Sequence, residues 1–181
     1  KQYSKYLKKI DDYINNGNLE SLNLEIGKLL GFKCENPTSD GSPDPYWISS
    51  DKLIIVFEDK LYEGELENIP IKHIRQAASH DDWIKKNVKE VNDDTKIVKV
   101  IISNRTKVSD EGKTYGTSLK YWNYYDFLDF SKKIISLARE YEKYYSGEND
   151  SNWKDFFIDE FSKRGLDPNQ LISNLTNLVD K

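Results

Sequence analysis

Pro43-Asp44-Pro45-Tyr46-Trp47-Ile48 and, after a polar turn, Leu53-Ile54-Ile55-Val56-Phe57-Glu58-Asp59-Lys60 form the stretch on which the reading of this chain turns. The five-residue aliphatic run has the pattern of a strand buried on both faces, and it stops at three consecutive charges. Charge is costly inside an apolar core, so a strand that ends this way delivers its last residues to a cleft or to solvent. Side chains alternate along a strand: Glu58 and Lys60 point one way and Asp59 the other. A strand carrying Asp44 beside them would bring both acids and the amine together.

Two carboxylates and an ammonium suit a specific chemistry. Hard divalent cations such as Mg²⁺ prefer oxygen ligands, and a neighbouring ammonium stabilises charge that develops during phosphodiester hydrolysis. The alternative is a solvated strand end. Glu-x-Lys alone is uninformative in a chain with 31 acidic and 27 basic residues, so the signal lies in the hydrophobic run that precedes it.

The 181 residues suffice for one domain with a real core. No apolar stretch approaches the length of a membrane span, and no signal peptide is evident. A single cysteine, Cys34, cannot form an internal disulfide and suits a reducing cytoplasm. The net charge of −4 is not the basic footprint of a protein that grips nucleic acid by itself. Much of any such affinity is therefore expected from a partner or a further domain. The chain begins at Lys1 and contains no methionine, which marks it as an expected portion of something longer.

Outward from the central stretch, apolar residues recur at helical spacing over Tyr3 to Ile14 and again over Leu19 to Leu30, where Gly31 is placed to end the element. Glu25 lies at the edge of the second apolar face, a candidate to point toward Asp44 or simply a half-exposed glutamate. Residues 36 to 42 are loop chemistry. Strands are expected at Tyr46 to Ile48 and Leu53 to Phe57 across the turn Ser49 to Lys52, with a third short one near Leu61 to Glu63. A long helix is predicted from Pro70 to Val91. Ile97 to Ile102 is nearly all β-branched, a buried strand, and Leu119 to Asn123 a shorter one. Between them Asn104 to Gly116 is a charged, glycine-containing excursion expected to be mobile. A long amphipathic helix runs from Tyr125 to Tyr145, Gly147 to Asn152 breaks it, and two short helices follow at Trp153 to Phe161 and Asn169 to Val179, the latter capped by Asp167. The alternation implies a mixed sheet with helices on both faces.

On the predicted Pro70 to Val91 helix, Ile74, Ala77, Ala78, Ile84, Val88 and Val91 share one side, and His73, Gln76, His80 and Trp83 form a strip beside it. The two histidines are two turns apart, on the order of 10 Å of rise, too far to chelate one zinc. Gln76, together with His73 or His80, is the candidate to face the metal cleft and contact a scissile phosphate or a metal-bound water; an exposed polar flank is the competing reading. Asp81, in the middle of the apolar side, has no explanation on a helical wheel.

Taken in order, Pro43-Asp44, Glu58-Asp59-Lys60, Ile69-Pro70-Ile71 opening a helix with Gln76, and the strand Ile97 to Ile102 resemble the PD-(D/E)xK nuclease superfamily, closest to the cleavage domains of FokI-like type IIS restriction enzymes. The resemblance spans roughly Leu19 to Asn104. It implies a restriction-endonuclease-like fold, an α/β mixed sheet flanked by helices with extra N- and C-terminal helices. The chain as a whole is read as a nuclease domain over 1–147 (core about 18–145) with a C-terminal helical appendage over 148–181, whose helices are expected to pack on the core or to lead to another domain. Asp44 and Glu58 would be metal ligands, joined by the backbone carbonyl of Asp59, for Mg²⁺ with Mn²⁺ able to substitute. Lys60 would position or activate the attacking water, Glu25 would match an acid on the first core helix, and Gln76 a polar residue of the second. Pro45 restricts Asp44 to extended backbone angles, which fits a strand and narrows its reach. The implied activity is metal-dependent cleavage of double-stranded DNA in a restriction or anti-phage defence system, with a recognition domain or partner subunit or a homodimer. A non-catalytic nucleic-acid- or protein-binding module of the same fold is the alternative, and the metal chemistry does not separate DNA from RNA.

Overall fold

The computed structural model describes residues 2–49, 52–65, 67–142 and 151–181. Two expectations therefore fall partly or wholly outside the described residues: the centre of the turn at Ser50 and Asp51, and the helix break near Gly147 with the domain boundary placed there. Among the described residues no helix is long and apolar enough to cross a membrane.

A six-stranded mixed sheet organises the chain, with strands in sequence order across it. Helices α1 (Gln2–Asn16) and α2 (Leu19–Leu29) lead into β1 (Lys33–Glu35), β2 (Tyr46–Ser49) and β3 (Leu53–Lys60), an antiparallel meander. Helices α3 (Ile71–Ala78) and α4 (His80–Asn87) then carry the chain over to β4 (Lys96–Ser103), parallel to β3. After α5 (Asp110–Tyr115), β5 (Leu119–Asn123) adds in parallel to β4. Helices α6 (Tyr124–Tyr141), α7 (Ser151–Lys163) and α8 (Pro168–Ser173) follow, and the short β6 (Thr176–Asn177) closes the sheet antiparallel to β5.

Strand alternation splits the core into two layers. Leu53, Ile55 and Phe57 of β3 and Val98, Val100 and Ile102 of β4 share one cluster with α1, α2 and α6. Ile54 and Val56 face the other side, against Ile84 and Val88 of the α4 region, while Ile101 packs with Ile74 and Ala77 of α3. Glu58 and Lys60 fall on the α3/α4 side and Asp59 on the α2 side by the same period of two.

The expected α/β class, a mixed sheet flanked by helices with further helices at both ends, holds, and several elements differ from their sequence reading. The single helix from Pro70 to Val91 is two helices that meet at Ser79. There Ala78 O accepts from Lys99 Nζ at 2.9 Å, and Asp81 lies 3.3 Å from the same ammonium. Lys99 projects from the middle of β4 into the helical layer, so its charge needs a partner, and Asp81 on the apolar side supplies it. No strand forms at Leu61 to Glu63. The excursion after Asn104 is not a mobile loop: it contains α5, buries Val108, and bridges to the segment before α3 through Asn68 and Lys107. The C-terminal residues contribute to both the sheet and the core. Phe161, Leu171 and Ile172 join the core beside α6, and Leu178 is fully buried beneath β5. Asp167 caps α8 as expected, its carboxylate accepting from Asn169 N and Gln170 N. The expected second half of that helix is β6 and a 3₁₀ turn, Leu178–Asp180.

Helix α2 lies unusually close to the sheet because of Gly27. A Cβ at this position would sit 2.6 Å from Cys34 Sγ and from Trp47 Cδ1, and Trp47 is fully buried. Glycine inside a helix ordinarily costs about 1 kcal/mol relative to alanine, so the close approach decides its presence. Gly27→Ala is therefore expected to destabilise the protein by about 1–3 kcal/mol in denaturant unfolding, against the stabilisation the same change produces in an open helix.

Candidate active site

The register of β2 against β3 assembles the site. Tyr46 pairs with Val56, and Phe57 N donates to Pro45 O at 3.1 Å, so continuing the ladder by one residue sets Asp44 opposite Glu58. Residues opposite one another in an antiparallel pair share a face. Lys60, two residues beyond Glu58, shares it too. Its Nζ lies 2.9 Å from Glu58 Oε1 and 4.0 Å from Asp44 Oδ2. The three side chains singled out from the sequence are thus brought together. Asp44 Oδ2 also accepts from Asp59 N at 2.5 Å, which pins the loop before β2 to the end of β3.

Burial is graded across this group. The Glu58 side chain is fully enclosed, whereas those of Asp44 and Lys60 retain 17% and 26% of their exposure, so the cluster opens to solvent on their side. Glu58 Oε2 lies 2.5 Å from His80 Nε2, and His80 is itself buried with Nδ1 unpartnered. The proton in that contact therefore belongs on Nε2, which donates to the carboxylate. Glu58 Oε1 is buried and receives no hydrogen bond, its contact with Lys60 being an ion pair without hydrogen-bond geometry.

Burial, then the charge of Glu58, pushes the Asp44 carboxyl up to about 7, outweighing the Asp59 amide and Lys60. Asp59 is raised well above the usual carboxylate range, by burial first and then by Asp44. It sits on the opposite face, where Asn23 Nδ2 of α2 donates to both its oxygens at 3.0 and 2.9 Å. Burial works to lower Lys60, but the carboxylates of Glu58 and Asp44 outweigh it and hold the ammonium above its ordinary value.

The remaining candidates lie elsewhere. Glu25 accepts a hydrogen bond from the Tyr6 hydroxyl and pairs with Lys28 at 3.5 Å, on the side of α2 that faces α1. The acid of α2 whose charge acts on Asp44, Asp59 and Lys60 is Glu20. The helical step of about 100° explains this: Glu20 and Asn23 are three apart and share a face, while Glu25 is two past Asn23, about 200° around. That i, i+3 pair was available in the sequence, but its direction toward Asp59 was not. Gln76 is exposed on α3. Its neighbour on that strip, His73, meets the Tyr62 hydroxyl at 2.6 Å. His80 is the strip residue that reaches an acid of the cluster, and the break at Ser79 separates it from the helix carrying Gln76.

Among the described residues no group of three or more His, Cys, Asp and Glu side chains is placed to hold a metal ion. The two carboxylates nevertheless fit a hard divalent cation: Glu58 Oε1 is buried against the Lys60 ammonium at 2.9 Å, and Asp44 beside it is held protonated to unusually high pH by burial and then by the charge of Glu58. No protein-family model, curated protein or solved structure matches the chain.

The raised Asp44 carboxyl has a consequence for stability. The folded protein retains that proton up to about 7, whereas the ordinary value is 3.8, so between these values the folded state binds more protons than the unfolded. The contribution is fully present below the lower value and is lost as pH rises through the upper one. Asp44→Asn removes this slope while keeping an acceptor for Asp59 N. Without divalent ions at pH 8, the variant is expected to exceed wild type by about 1 kcal/mol or more, seen as a Tm about 2–4 °C higher, with the difference vanishing near pH 4.

Proposed function

We propose that this chain is a metal-dependent endonuclease that hydrolyses DNA phosphodiester bonds, the cleavage part of a restriction or anti-phage defence system. One observation carries the reading. Asp44, Glu58 and Lys60 converge at the end of β3, with a fully enclosed carboxylate held against the Lys60 ammonium and a second acid driven toward neutrality by burial and by Glu58. A core rarely tolerates that arrangement without a use for it.

The side chains of Asp44 and Glu58 would hold Mg²⁺, or Mn²⁺ in its place, and the resemblance adds the main-chain carbonyl of Asp59. Such an ion, when bound, supplies positive charge against the phosphoryl oxygens and favours ionisation of water. Lys60, held as an ammonium by the two acids, has three donors and no lone pair. Its part is to hydrogen-bond developing negative charge on a phosphate oxygen beside Glu58, not to remove a proton. His80 orients Glu58 by donating to Oε2, so that the ion would share Oε1 with the Lys60 ammonium, and Asn23 clamps Asp59 so that the strand end stays in place. An acidic chain of net charge −4 needs help to approach DNA, which supports a recognition domain, a partner subunit or a second copy as the source of site choice.

In Mg²⁺ the purified chain is expected to nick or linearise plasmid, with Lys60→Ala lowering the rate by about 10²–10³-fold while leaving a Mg²⁺-dependent rise in Tm that Glu58→Gln removes. Equal cleavage by wild type and Lys60→Ala overturns the assignment. A metal-dependent Tm shift without cleavage of any DNA favours the non-catalytic binding module.

A further inference from the structure

Beside the acidic cluster, on the side of the sheet that carries α3, lies a groove of about 630 Å³ bounded by Glu67 to Ile71 on one wall and Arg105, Lys107 and Ser109 on the other. That size falls within the range of ligand sites. Its walls are tied to each other: Ile69 N donates to Lys107 O at 3.0 Å, and Arg105 Nη1 to Asn68 O at 3.0 Å. Among the described residues neither Arg105 nor Lys107 is paired with a carboxylate, and Arg105 Nε is buried without an acceptor. Two cations with donors to spare line the groove against a single acid, Glu67.

The groove and the cluster are joined by rigid structure. Lys60 and Ser103 are register partners at the ends of β3 and β4, and Tyr62 and Arg105 lie two residues beyond these strand ends. Asn104 fastens these ends together, accepting from Tyr62 N at 3.0 Å and donating to Tyr62 O at 2.8 Å. The Arg105 guanidinium stacks 4.2 Å over the Tyr62 ring, whose hydroxyl meets His73. Arg105 is thereby preorganised, with its fork fixed by an aromatic face, a main-chain carbonyl and the strand end that positions Lys60.

We propose that this groove seats the sugar-phosphate backbone of the DNA strand on the side of the scissile bond away from Asp44, with a phosphate held by the Arg105 guanidinium and the Lys107 ammonium. The inference rests on the endonuclease reading for its direction, since it makes Arg105 the continuation of the line from Glu58 through Lys60. Guanidinium forks match phosphate oxygens in pairs, and an ammonium adds a point charge. Glu67, on the opposite wall, opposes the same ligand.

The test is binding read apart from cleavage, by fluorescence anisotropy of the full chain with a labelled duplex in the absence of divalent ions. Lys107→Ala, at an exposed position, is expected to weaken binding about five- to tenfold and to lower the slope of log affinity against log salt by about 1. Glu67→Gln is expected to tighten binding at least twofold, a gain that misfolding cannot mimic. Arg105→Lys, which keeps the charge and loses the fork, is expected to weaken binding with an unchanged salt slope. Unchanged affinity in Lys107→Ala and Glu67→Gln, or no duplex binding by wild type, overturns the groove assignment. If those variants behave as wild type while cleavage still depends on Lys60, the groove is wrong and the nuclease stands. If they shift binding in a chain that cleaves nothing, the groove stands and the nuclease reading falls.

Discussion

A glutamate with no solvent exposure at the end of a central strand is the constraint around which this molecule is arranged. Removing a carboxylate from water costs several kcal/mol unless donors and counter-charge replace the lost hydration. Glu58 meets that requirement from two directions, Lys60 two residues along the same strand and His80 from the helical layer. Each partner imposes its own demand. Lys60 must lie on the Glu58 face, which the strand period guarantees. His80 must reach the sheet, which it does from the first residue of α4. The break at Ser79, stabilised where Lys99 takes over the carbonyl of Ala78, gives α4 its own course.

The balance around Glu58 is incomplete, and the shortfall falls on Asp44. Three acids, Asp44, Glu58 and Asp59, crowd the end of β3 against one lysine, with Glu20 adding further negative potential. Residues selected for stability alone would not be left this way. An excess of enclosed carboxylate over positive charge is what the proposed cation would balance, and the positive charges of the neighbouring groove are of the sign that a phosphate would meet. Among the described residues, the groove cations Arg105 and Lys107 form no ion pair with the acids of the cluster, and Arg105 stacks on Tyr62 instead.

The second layer around the site is set by packing. Gly27 allows α2 to press against Trp47, and that closeness brings Asn23 onto Asp59. The bridge between Asn68 and Lys107 turns a charged excursion into a wall. Residues remote in sequence and unremarkable as types therefore decide where the chemically interesting ones stand.

Much of the site was legible from local pattern. The aliphatic run ending in charges identified β3, and the period of two assigned Glu58 and Lys60 to one face and Asp59 to the other, as observed. Asp44 lay close enough in sequence for a hairpin to set it opposite Glu58. The sequence misdirected where a helix had to choose among faces that its own wheel leaves equivalent. Glu25 read as a site acid because it borders an apolar stripe, but α1 packs against that border and Tyr6 takes the carboxylate. Glu20 and Asn23 gave no sign of their direction because both are polar and neither interrupts the stripe. The two-residue β6 carries too little pattern to be seen at all.

What the sequence alone determined is what depends on near neighbours: the strand faces, the caps, the capacity for two acids and an amine to meet. The pairing of His80 with Glu58, of Asn23 with Asp59, and the groove built on Arg105 were decided only by tertiary structure. Each needs a contact between segments 20 to 40 residues apart. Its geometry follows from how layers pack, and no periodicity within either segment encodes that.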